Sequence, residues 1–504
     1  MDKKTLQALK KKGLRRFLGD YRKRKEREKA RAAIEGSLKE MLSEAAKLSG
    51  GADGDTEALT SMAGFAEANR ALLSDEEKFL LTKPAAAYLS DHQKELREGD
   101  EALKAMVKPL WALEDEKRYR HHLMAQYLKG RYPAIYSGHS GEPVEDKVIV
   151  MESGKSPSPS SKRLAKTIEA QGRYRVVYMG LRIREIPMAV FYENGEKFIR
   201  ELATAKAVFL STANNLLSQF DLREETKVIQ LWHGVGAFKH VGHSTVNNKH
   251  FGRNQKLWDE YDSYRNYSCV TIASDDQRWI FEESMQLPPG KLLAVGIART
   301  DIFYDKDFIA EARRKLNDSL PQINGRKLLL YAPTFRGKVG EGKAPDRLDI
   351  GKLAEALSDE YVLLIKHHGL SKDVPPIPDG LEDSFAFDMN SHKLLDIDSL
   401  LAIADVLITD YSSVAFEFSI TGRPIIFFTY DLDQYVEERG LYFDFRKEAP
   451  GPLCFDTEDI VNYMNSIAGP SEWPDRQKLV DFRDKYVRAC DGHATERTIA
   501  LIEQ

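Results

Sequence analysis

Four short polar segments hold residue types suited to acid–base or phosphate chemistry, and each follows an apolar run that reads as a strand. The first is Gln230-Leu231-Trp232-His233-Gly234-Val235-Gly236-Ala237-Phe238-Lys239. Its glycines let backbone approach a ligand, and a neutral imidazole at His233 can take a proton from an attacking hydroxyl at physiological pH. The competing reading is a capping or core histidine in a tight turn. The second is Tyr331-Ala332-Pro333-Thr334-Phe335-Arg336-Gly337. Thr334 and Arg336 can donate to phosphate oxygens, the arginine bidentately, unless Pro-Thr merely ends the strand and Arg336 is solvated. The third, Lys366-His367-His368-Gly369, offers an imidazole and an ammonium against charge building on a leaving phosphate. Adjacent residues of an extended chain face opposite ways, so one of the two histidines points at the ligand side. A metal site is the rival use, but no third ligand stands at a recognisable spacing. The fourth is Ile408-Thr409-Asp410-Tyr411-Ser412-Ser413-Val414-Ala415-Phe416-Glu417. Here a buried strand ends in Asp410, and Ser412 and Ser413 open a helix, either as an anion cradle or as an ordinary N-cap.

The elements that position these segments are parallel α/β units. Val148–Met151, Tyr174–Met179, Ala207–Leu210 and Val228–Trp232 form one strand series; Lys327–Tyr331, Tyr361–Ile365, Val406–Thr409 and Pro424–Phe428 form another. Helical stretches separate the strands, which implies two doubly wound lobes with a cleft between them. Ligands of such sheets sit beyond the carboxyl ends of the strands, where the four segments lie. The expected organisation is a helical extension over residues 1–146, an N-terminal lobe over 147–310 and a C-terminal lobe over 311–504.

The composition narrows the classes. Hydrophobic residues make up 42% of the 504-residue chain, enough for several cores, and the three widely spaced cysteines exclude a disulfide scaffold. No apolar stretch is long enough to cross a bilayer, and the charged N-terminus does not read as a signal peptide. The net charge of −4 conceals a split: residues 1–31 hold 14 Lys or Arg against 4 Asp or Glu. Leu6, Leu9, Leu14, Phe17, Leu18 and Tyr21 are spaced as one helical stripe among those cations. Such an arm suits an anionic membrane surface; a solvated helix or an RNA-binding arm are the alternatives.

Together the motifs resemble the CDP-glycerol glycerophosphotransferase family of teichoic acid synthesis. The resemblance rests on Trp232-His233-Gly234, Ala332 to Arg336 and Thr409 to Ser413. It extends to Arg423-Pro424, the run from Asp431 to Gly440, Gly296 to Asp301, and Asp491-Gly492. It covers about residues 147–504 and implies a GT-B-like fold, with the CDP-donor on the second lobe and the acceptor over the first. It also implies no obligatory metal or other cofactor, His233 as general base and His368 at the donor phosphates. The family commonly has His-Pro where this chain has His368-Gly369. On this reading glycerol phosphate, or a related polyol phosphate, passes from CDP-glycerol to the hydroxyl end of a lipid-linked teichoic-acid-like or capsular polymer, and CMP departs. Ser412, Ser413, Thr334, Arg336, Asp410 and Lys366 would hold the donor and its phosphates. The enzyme would be cytoplasmic, peripheral at the inner membrane face through its basic helix, with no nucleic-acid partner. A GT-B glycosyltransferase using a nucleotide sugar and a non-catalytic adaptor are the alternatives.

Overall fold

The computed structural model describes residues 3–48, 55–152, 159–181, 186–232, 234–246, 248, 255–337, 342–369, 371, 373–467 and 472–504, with backbone only over 3–21. The chain falls into two compact units. One comprises the N-terminal helices up to Pro143 together with the helix Met188–Ala203; the other holds both sheets and runs to Gln504.

The helical unit starts with one continuous helix, Lys3–Leu48. The stripe proposed for residues 1–31 consists of side chains outside the described residues. Met188–Ala203 differs from its expected place in the first lobe. It carries Glu193, Asn194 and Glu196 in buried positions, and burial of such groups is tolerable only when each is partnered. The N-terminal helices supply the partners: Tyr127 donates to Glu193 at 2.5 Å, Ser90 donates to Asn194 at 2.8 Å, and Arg131 pairs with Glu196.

The second unit contains two six-stranded sheets. The first runs in the order β2-β1-β3-β4-β5-β6, from β1 (Glu145–Glu152), β2 (Arg175–Gly180), β3 (Ala205–Leu210), β4 (Lys227–Gln230), β5 (Cys269–Thr271) and β6 (Leu292–Leu293). The second runs β12-β11-β10-β7-β8-β9, from β7 (Lys327–Tyr331), β8 (Tyr361–Ile365), β9 (Ala386–Asp388), β10 (Val406–Thr409), β11 (Ile425–Phe428) and β12 (Leu453–Cys454). The described pairings are parallel, with Leu330 opposite Leu407 and Tyr331 opposite Ile408 at the centre of the second sheet. Near-continuous burial of these strands matches helices packed on both faces. Strand order reverses between β7 and β10, so the segments after these two strands open side by side. That is where ligands of open parallel sheets bind.

The two ends of the Gly296-to-Asp301 motif hold the C-terminal helix in place. Asp301 accepts from the backbone N–H groups of Ala494 and Thr495 at 3.0 and 2.7 Å, capping the helix Ala494–Ala500. Gly296 has φ of +86°, and a Cβ there would lie 2.1 Å from the Ala489 carbonyl oxygen, so only glycine permits the approach. Among the described residues no helix is long and apolar enough to cross a membrane.

Candidate active site

The turn after β4 is pulled tightly against the second lobe. β4 ends at Gln230 instead of continuing to Trp232, with one further backbone bond from the Leu231 N–H to Leu210 at 2.8 Å. Trp232 adopts φ of +57°, a left-handed conformation that a bulky residue enters at a cost of about 1–3 kcal/mol. Its N–H donates to the Gln230 side chain at 2.8 Å, and its ring meets Phe281 edge-on. His233 lies outside the described residues, but both neighbours are placed. A Cβ on Gly234 would lie 3.6 Å from Ser413 Oγ, and one on Gly236 would lie 2.6 Å from the Phe416 ring. Phe238 then enters the second lobe's core, with ring centroids 4.5 Å from Phe416 and 5.0 Å from Phe445. The histidine turn is therefore wedged beside the segment after β10.

An ionic clasp spans the same junction. Arg299, from the first lobe, donates to Asp398 at 2.9 Å and lies 3.4 Å from Glu417; Val235 N–H also points to Glu417 at 3.4 Å. Glu417 is buried, which raises its carboxyl above the usual range although Arg299 opposes the shift.

A cavity of about 610 Å³ opens here, walled by Trp232, Gly234 and Lys239 on one side and by Thr334, His368, Ser412 and Ser413 on the other. Ser413 begins the helix Val414–Ser419, yet its side chain makes no capping hydrogen bond. Among the described residues Ser412 Oγ has only a 3.5 Å contact from the Val414 N–H.

His368 is turned to this cavity, its ring 5.1 Å from Phe335; burial and the nearby Lys239 charge hold it below the ordinary histidine value. His367 points the other way, edge-on to Tyr331 in the interior, and burial lowers it as well. Both histidines line the cavity, and of the pair it is His368 that feels the Lys239 charge. A neutral imidazole there can donate one hydrogen bond to a phosphate oxygen.

The remaining expected phosphate-binding residues are engaged differently. Asp410 is 2% exposed and collects donors: the Thr334 N–H at 2.9 Å, the Thr334 hydroxyl, and Arg336 Nη1 at 2.8 Å. Arg336 also holds Asp431 through Nε at 2.6 Å and Nη2 at 3.0 Å, beneath Tyr411 and Tyr435. Lys366 donates to the carbonyls of Met389 and Leu395 at 3.0 and 3.4 Å. Thr334 and Lys366 line the cavity as well. A buried carboxylate must be neutralised from within the protein, and Thr334 and Arg336 do this for Asp410 beneath the site. The partner Asp431 and the clasp residues Arg299 and Glu417 had no assigned role in the sequence, although they sit in quoted motifs. Among the described residues no group of three His, Cys, Asp or Glu could hold a metal ion.

Residues 134–504 match the family described as CDP-glycerol:poly(glycerophosphate) glycerophosphotransferase. The chain belongs to this family. The resemblance carried by its motifs is thus borne out, and so is the fold: wall teichoic acid polymerase TagF superposes with a TM-score of 0.60 at 21% identity, over 77% of this chain and 98% of that one. Among relatives, the teichoic acid ribitol-phosphate primase of Bacillus spizizenii is 35% identical over 305 residues, 60% of this chain and 75% of its own length. The teichoic acid glycerol-phosphate primase of Bacillus subtilis is 32% identical over 317 residues, 61% and 76% respectively. The match spans about half, 47%, of the teichoic acid poly(ribitol-phosphate) polymerase of Bacillus spizizenii, at 32% identity. The first 133 residues lie outside the family match.

Proposed function

We propose that the protein transfers glycerol phosphate, or a related polyol phosphate, from a CDP-activated donor to the hydroxyl end of a teichoic-acid-like or capsular polymer. Family membership supports the reaction class. The observation that carries the site assignment is the packing of Gly234, next to His233, against the hydroxyl of Ser413 at one wall of the cavity.

In this mechanism His233 removes the proton of the acceptor hydroxyl. The acceptor oxygen bonds to the phosphorus next to glycerol, the bond from that phosphorus to CMP breaks, and CMP leaves with the electron pair. Positioning and charge stabilisation supply most of the rate in such displacements. Ser412, Ser413 and neutral His368 donate to the donor phosphates. Thr334, Arg336, Asp410 and Asp431 hold those donors in place. The basic arm of residues 1–31 brings the enzyme to the cytoplasmic face of the membrane, where an acceptor on a lipid carrier is found; its charge excess supports this placement.

The test is incubation of the full chain with acceptor and CDP-glycerol, CDP-ribitol or UDP-sugars, with nucleotide release and product size measured. CMP release with growth of the acceptor is expected. UDP release without CMP would transfer the protein to the glycosyltransferases, and release of neither would end the assignment.

A further inference from the structure

Four cations line the cavity: Lys239, Arg299, Lys366 and Arg439. Three are already engaged. Arg299 is held by Asp398 and Glu417, Lys366 by two carbonyls, and Arg439 is buried beside Tyr435, to which it hydrogen-bonds. Lys239 differs. Its ammonium makes no hydrogen bond and no ion pair within 4 Å among the described residues, although the residue is half-buried. Its backbone is fixed from both lobes. Lys239 pairs antiparallel with Leu441, the His240 N–H donates to Gly440 at 3.2 Å, and the Tyr442 N–H donates to Phe238 at 2.8 Å. Gly440 is at φ +70°, and a Cβ there would lie 2.5 Å from His240 Nδ1. The chain therefore holds this lysine in position although no anion of the described residues pairs with it.

The groups facing it are two cations and two acids, with His368 neutral, so they bring no surplus of either sign. Arg336 comes from the segment after β7, His368 from that after β8, Asp410 from that after β10, and Glu438 and Arg439 from the helix Leu432–Arg439. Asp410 is the acid whose charge is felt at Lys239, and it is already engaged by Arg336 and Thr334. A desolvated cation without a counter-charge is costly, and an anionic ligand in the cavity removes that cost.

We infer that Lys239 is a further catalytic residue, whose ammonium binds the donor diphosphate and neutralises the charge that develops on the departing nucleotide phosphate. This deepens the transferase reading and rests on it. Burial, with Arg439 and Arg336 adding to it, lowers the lysine to about 8. The ammonium is charged below that value and loses its proton above it, so donor binding weakens as pH rises through about 8. The diphosphate diester has no proton to lose there, and His368, already lowered, stays neutral throughout.

The experiment is calorimetric titration of the full chain with CDP-glycerol, without acceptor, from pH 6.5 to 9.5. The wild type should bind, with affinity falling about tenfold between pH 8 and 9 and above. Lys239→Met should bind about ten- to hundredfold more weakly at pH 7, with the basic fall gone. Lys239→Arg should bind at pH 7 and stay flat to pH 9.5, because a guanidinium does not deprotonate there. Thermal melts verify that the variants fold, and if Lys239→Met does not, Lys239→Arg decides. Wild-type affinity in Lys239→Met, or an unchanged basic fall in Lys239→Arg, overturns the inference while the transferase reading stands. A wild type that ignores CDP-glycerol removes both.

Discussion

Thr334 and Ser413 are both hydroxyl residues a few positions beyond adjacent parallel strands, and both line the same cavity. Their environments are opposite. Thr334 gives both its N–H and its hydroxyl to buried Asp410, as part of a network that extends through Arg336 to Asp431. Ser413 gives its hydroxyl to no described partner. Similar motifs at similar positions therefore differ: one builds a rigid floor, the other leaves a hydroxyl at the cavity wall. The difference arises because a carboxylate sealed from water requires internal donors, whereas a hydroxyl at a cavity wall does not.

The comparison is probed most forcefully at the turn packed on Ser413. His233→Ala should reduce turnover about a hundredfold to ten-thousandfold while the chain still folds and binds CDP-glycerol. Steady-state kinetics with near-normal turnover would remove the base from the mechanism. The floor should fail differently. Arg336→Ala leaves Asp410 and Asp431 without their cation, and urea denaturation should report a loss of about 3–5 kcal/mol of stability. Arg336→Lys should recover little of it, since one ammonium cannot reproduce a fork shared between two carboxylates.

Smaller effects sharpen the contrast between the hydroxyls. Thr334→Ala should cost about 1–3 kcal/mol in stability, because Asp410 loses a buried donor. Ser413→Ala should leave stability within about 0.5 kcal/mol and instead weaken CDP-glycerol binding. If the two substitutions exchange these signatures in paired denaturation and calorimetry, the division of labour is wrong.

The smallest effect concerns pH. His367 and His368 are both held below the ordinary value by burial, so below about pH 6.5 the unfolded chain binds more protons than the native one. Stability should fall as pH drops through and below that value and be insensitive to these groups above it. His367→Gln should flatten the decline between pH 7 and 5 in urea midpoints; an unchanged slope would exclude that imidazole as a contributor.

Much of this organisation was legible beforehand. Val148–Met151, Ala207–Leu210, Lys327–Tyr331, Tyr361–Ile365 and Val406–Thr409 all lie in strands, because each is a continuous apolar run of the kind a sheet covered on both faces requires. The strands β5, β6, β9 and β12 escaped notice, being two or three residues long and too short to show a pattern. The helix Met188–Ala203 groups with the N-terminal helices, which the sequence order does not reveal, since its buried acids find their partners only when Tyr127, Lys83 and Arg131 are beside them. The motif Gly296 to Asp301 was recognised without its purpose, because the N–H groups it caps lie almost two hundred residues away.

The order of residue types along the chain was sufficient for two parallel sheets, for polar segments at their carboxyl ends and for the family. Folding alone decided which polar groups remain open to a ligand. Arg336 and Lys239 look alike as letters, each a cation in a strand-end motif. One meets Asp410 and Asp431 and is neutralised. The other is held between the lobes by backbone pairing with Leu441 and pairs with no anion among the described residues. Electrostatic energy depends on distance and burial, and those exist only once segments remote in sequence are brought together.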